Sequence, residues 1–106
     1  MTHQTTFPFH TDPGHGWVEV PGTLIDELGI RGKISRCSYK HAGGGSVFLE
    51  EDCDAGHFIE AFNARYGHSP RFRNVNVEED SFIRGLDRYH APCECEDYRL
   101  RGACAC

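Results

Sequence analysis

Long apolar runs are missing from this 106-residue chain, and none approaches the roughly 18–20 apolar residues that a membrane span requires. The opening residues, MTHQTTFPFH, lack the basic start and apolar stretch of a secretory signal. Lysine is nearly absent, with only Lys33 and Lys40 beside nine arginines. Acidic residues outnumber basic ones 16 to 11, giving a net charge of −5 and an isoelectric point near 5.7. That balance argues against a general nucleic-acid binder, which presents a basic face. There is no G-x-x-x-x-G-K-S/T phosphate loop, no G-x-G-x-x-G and no helical H-E-x-x-H, and "HAGGGS" has no nucleophile elbow beside it. These absences point to a soluble, cytoplasmic protein that is not an enzyme. In that compartment the six cysteines are expected to be thiols or metal ligands rather than disulfides.

What is present suffices for a core. Apolar residues make up 39% of the chain, including seven Phe, four Tyr and one Trp. A single domain of this length buries roughly two thirds of its unfolded surface. Residues 1–90 are expected to form that domain, and residues 91–106 a flexible, Cys-rich tail.

Turn and helix signals organise the domain. In "HTDPGHGWVEVP", residues 10–21, Asp12-Pro13-Gly14 is a turn: Asp bonds back to the backbone, Pro presets φ and Gly tolerates positive φ. Thr5–Phe9 before it and Trp17–Val20 after it read as strands. Pro21 suits a helix start, Leu24, Ile25 and Leu28 form a helical stripe, and Gly29 closes it with Ile30 packing back on Ile25. Ile34–His41 and Ser46–Glu50 read as a hairpin around "AGGG". A second helix is expected over Ala55–Tyr66, capped by Asp52 or Asp54, closed by Gly67, and burying Phe58, Ile59, Phe62 and Tyr66. Arg71–Val77 reads as a strand, while Ser81–Tyr89 fits either a helix or a last strand. The resulting order, β-α-β-β-α-β with further strands at the ends, predicts an α+β fold. It would be a small antiparallel sheet with two helices on one face, close to the split-βαβ plan.

Three groups of residues could carry chemistry. His10, Asp12 and His15 offer two imidazoles and a carboxylate, although the turn reading outweighs a metal site there. Cys93, Cys95, Cys104 and Cys106 form two C-x-C pairs. They are candidate ligands for Zn²⁺, in a regulatory or structural zinc module, although zinc knuckles use C-x₂-C. Cys53 and His57 are a weak candidate pair for hydrolysis, because Glu51, Asp52 and Asp54 oppose thiol ionisation. The chain as a whole is expected to require no cofactor, with zinc possible at the tail cysteines.

The motifs "HTDPGHGWVEVP…LIDELGI…ISRCSY…VFLEEDCDAGHFIEAF", with "IRGLDRY" near residue 89, resemble a group of small proteins of phages, plasmids and integrated elements. The resemblance covers about residues 9–89 and excludes the tail. It implies a mobile-element context and carries no catalytic residue. Joined to the acidic charge, it leads to an expected function: a non-enzymatic inhibitor of a host protein or nucleoprotein complex, of the anti-CRISPR kind. Glu50, Glu51, Asp52, Glu78, Glu79 and Asp80 are the expected contacts with an Arg/Lys-rich groove. Neither sequence-specific nucleic-acid binding nor membrane association is expected.

Overall fold

A computed structural model describes residues 4–41 and 45–89. The Asp12-Pro13-Gly14 turn folds Thr6–Thr11 (β1) back on Gly16–Pro21 (β2), with Phe9 opposite Val18 and His10 opposite Trp17. Pro21 ends β2 and caps the helix Gly22–Glu27 (α1) rather than occupying its first turn. This helix stops as its sequence dictates. Gly29 takes φ +69°, its N–H donates to Asp26 O, and Ile30 N–H donates to Ile25 O, the paired bonds of a Schellman motif.

Between α1 and the next hairpin the sequence expectation is corrected. Ile34–His41 is not a continuous strand: a 3₁₀ turn at Arg31–Lys33 and further turns leave only Tyr39–Lys40 (β3) paired with Ser46–Glu50 (β4). The physical reason is a change of side. Ile30 and Ile34 are buried in the core beneath the helices, whereas Tyr39 belongs to the cluster on the opposite face. A straight strand cannot serve both. Residues 42–44 of the expected hairpin tip lie outside the described residues.

The second helix, Ala55–Tyr66 (α2), has the expected bounds and ends at Gly67 with φ +78°. It carries the chain to Arg71–Asn76 (β5), and a second 3₁₀ turn at Phe82–Gly85 precedes the short Asp87–Arg88 (β6). Ser81–Tyr89 therefore contains both a helical turn and a strand.

The strands form one sheet in the order β5-β1-β2-β4-β3-β6. All neighbours are antiparallel except β1 and β5, which run parallel from Thr6↔Arg71 to Thr11↔Asn76. The sheet is thus mixed, and the fully antiparallel, split-βαβ arrangement expected from the element order is not what forms. The cause is α2: a helical connection returns the chain in the direction of β4, which, across the intervening antiparallel β2, is also the direction of β1.

Both helices contribute to one face, as expected. Phe7, Val18, Val20, Val47 and Leu49 of the sheet pack with Ile25 of α1 and Phe58 and Phe62 of α2. Phe7 meets the rings of Phe58 and Phe62 edge-on at 5.0 and 5.8 Å between centroids, a favourable quadrupole arrangement. On the other face Trp17, Tyr39 and Phe48 are covered by Ile83 and Leu86 from the last 3₁₀ turn. No helix among the described residues is long and apolar enough to cross a membrane.

Candidate functional site

Strands β1, β4 and β5 all run the same way, so their C-terminal ends gather beside the β1–β2 turn. Glu51 N–H donates to Gly16 O on one side of that turn, and Val77 N–H donates to Thr11 O on the other. Consequently Glu50–Asp52 and Glu78–Asp80, remote in sequence, leave the same end of the sheet. Glu51, Asp52, Glu78, Glu79 and Asp80 are exposed. Glu50 is only 6% exposed. Its carboxylate accepts from Asp52 N–H at 3.0 Å and lies 3.3 Å from His15 Nδ1.

The turn at the centre of this rim is fastened by Asp12. Its carboxylate is fully buried and accepts from the backbone N–H groups of Gly14, His15 and Ser81 at 3.0, 2.9 and 3.0 Å. It also accepts two bonds from Arg84, Nε at 2.6 Å and Nη2 at 2.9 Å, the bidentate geometry that favours arginine. The Arg84 guanidinium holds the Asp12 carboxyl far below the usual carboxylate range, burial opposes that shift, and the three N–H donors reinforce it. Arg84 lies over the Trp17 ring, 5.4 Å from its centroid. One carboxylate thus pins the chain after Asp80 across the sheet face that carries Trp17, Tyr39 and Phe48. Gly14 does not take the positive φ that the turn sequence allows, and a Cβ there would lie 2.8 Å from Arg84 Nη2, so a larger residue requires the guanidinium to shift.

His10, Asp12 and His15 do not converge on a metal position. His10 Nε2 lies 2.7 Å from Glu19 Oε1, Asp12 is committed to Arg84, and His15 faces Glu50. Among the described residues no group of three or more His, Cys, Asp or Glu side chains is disposed to hold a metal ion. Cys93, Cys95, Cys104 and Cys106 lie outside the described residues.

A cleft of about 290 Å³ opens beside the rim, walled by His15, Trp17, Tyr39, Glu50, Cys37 and Cys53. Sequence reasoning did not find it, because its walls come from segments far apart in the chain: the β1–β2 turn and β2, the turns before β3 and β3 itself, the end of β4 and the loop after it, and Arg84 and Arg88 near the end of the described residues. Beneath it Asp54, 2% exposed, does not cap α2 with its side chain. Instead its carboxylate accepts from Ser35 N–H at 3.1 Å, from Ser35 Oγ at 2.9 Å and from Ser38 Oγ. Ser38 Oγ in turn accepts from Glu50 N–H at 3.1 Å. The Cys53 thiol is pushed up to about 12, first by the neighbouring Cys37 thiol, then by partial desolvation and by the nearby Glu50 and Asp54. A thiol so held is a poor nucleophile at neutral pH. The indole Nε1 of Trp17 is the one buried side-chain polar atom among the described residues that lacks a hydrogen-bond partner.

No protein-family model, curated protein or solved structure matches the chain.

Proposed function

We propose that the chain is a non-enzymatic binding protein that inhibits a host nucleoprotein complex by laying its acidic rim in an Arg/Lys-rich groove. The mobile-element, anti-defence setting implied by the sequence resemblance belongs to the same proposal. One observation carries it: the fold brings two acidic clusters to the two sides of one rigid turn. Arg84, beside the turn, is neutralised chiefly by the buried Asp12 at 2.6 Å, with Asp80 at 3.9 Å. Five exposed carboxylates, Glu51, Asp52, Glu78, Glu79 and Asp80, supply the contacts, while Glu50 serves the cleft wall. Such charge complementarity raises association rate and selects partners, and salt weakens it.

Affinity capture from bacterial lysate tests the reading. The wild-type chain is expected to recover a nucleic-acid-processing complex that added duplex DNA displaces. Recovery should fall steeply from about 50 to about 300 mM salt. Replacing the five carboxylates with their amides should abolish recovery while leaving the melting temperature nearly unchanged, since exposed charges contribute little to stability. Recovery of the same complex by the amide variant, or of none by wild type, would overturn it.

A further inference from the structure

The two cysteines of the cleft meet because three polar bonds stitch their neighbours together. Ser35 N–H and Oγ and Ser38 Oγ all donate to Asp54, so the segment holding Cys37 lies against the residue that follows Cys53. On the other side, Glu50 N–H donates to Ser38 Oγ, and Cys53 N–H donates back to Glu50 O. Cys37 and Cys53 therefore line one cleft, both as free thiols. Cys53 is exposed and Cys37 half-buried, so a small reagent entering the cleft reaches both. Two thiols that face one cleft from segments bonded to each other through Asp54 and Ser38 are placed to close to the S–S bond distance of about 2.05 Å.

We propose that Cys37 and Cys53 form a dithiol site that exchanges with low-molecular-weight disulfides and closes reversibly to an intrachain disulfide. Cys37 Sγ, its proton lost to solvent, attacks one sulfur of the small disulfide. That S–S bond breaks, and the departing thiolate takes up a proton. Cys53 then loses its proton and displaces the second small thiol from Cys37. Two electrons pass from the chain to the reagent, one S–S bond is broken and one formed, and two small thiols are released. The high proton affinity of Cys53 makes the second step slow at neutral pH and faster as pH rises. The site stands independently of any docking by the acidic rim.

The test uses the full chain, reduced and then equilibrated in glutathione buffers of increasing oxidised fraction, quenched by alkylation and digested with trypsin without reduction. Cleavage after Arg36 and Lys40 leaves Cys37 on the peptide 37–40, and cleavage after Arg65 leaves Cys53 on 41–65. The expected result is a 37–40/41–65 linked pair that grows with the oxidised fraction and vanishes with dithiothreitol. Emission of Trp17, the only tryptophan and a wall of the same cleft, should fall in parallel in wild type and stay constant in Cys37→Ser. Alkylation of both thiols at every ratio would overturn the proposal. So would stable glutathione adducts without the linked pair, or linkage of either cysteine to Cys93, Cys95, Cys104 or Cys106. An emission change retained in Cys37→Ser would also overturn it.

Discussion

At the scale of single residues, two buried carboxylates do different work. Asp12 holds a turn and an arginine 72 residues further along the chain, and its carboxyl is shifted far below the ordinary aspartate value of 3.8. A depressed carboxyl contributes stability above its unfolded value that is lost as pH falls toward the folded one. Melting temperature should therefore decline below about pH 5, and Asp12→Asn should lower it at pH 7 and flatten that acid decline. An unchanged acid profile in the variant would show that other carboxylates dominate. On the alkaline side, Cys53 is raised from 9.0 to about 12 and burial raises Tyr89 above 10.0. Both favour the neutral form in the folded chain, so their contribution is complete below pH 9 and is lost as pH rises from there toward 12. In reduced protein, Cys53→Ser should shrink this alkaline loss. Asp54 depends on hydroxyl partners: Ser38→Ala removes a donor to it and the acceptor of Glu50 N–H, and should cost about 1–3 kcal/mol in denaturant unfolding. The turn role of Asp12 was legible in "DPG". Its bond to Arg84 was not, because nothing local marks a partner 72 residues away.

At the scale of elements, legibility follows the range of the forces. Both helices were readable because periodic apolar residues and a closing glycine are local signals, and Gly29 and Gly67 stand where the sequence puts them. Gly29→Ala should cost about 1–2 kcal/mol, since a Cβ strains the left-handed conformation although space is open around it. Phe58→Ala should cost about 3–5 kcal/mol, because this fully buried ring packs on both Phe7 and Phe62. Equilibrium urea unfolding measures both, and losses below about 1 kcal/mol for Phe58→Ala would mean that α2 does not pack on β1. The short β3 was overextended in the sequence reading, for alternation describes a strand's faces but not the need to cross from one to the other. The same limit explains Ser81–Tyr89, where Ile83 and Leu86 cover the Trp17 face and Tyr89 belongs to the core beneath the helices.

At the scale of the whole molecule, strand order was the least legible feature. Composition and periodicity named the elements, but the parallel β1–β5 pair depends on where α2 delivers the chain. The acidic rim follows from that delivery. Had β5 arrived antiparallel, Glu78–Asp80 would leave the opposite end of the sheet from Glu50–Asp52. Likewise the cleft exists because β2, the turns before β3 and the loop after β4 meet on one side, which no single segment announces.

The same parallel pair orders events during synthesis. Thr11 waits for Asn76, 65 residues downstream, which at about 5–20 residues per second is roughly 3–13 s of translation. The β1–β2 hairpin meanwhile presents an unpaired edge, with the fully buried Phe7 still uncovered by α2. Nascent chains stalled before residue 71 should therefore recruit holdase chaperones and be cleaved readily by protease. Chains released beyond residue 89 should do neither.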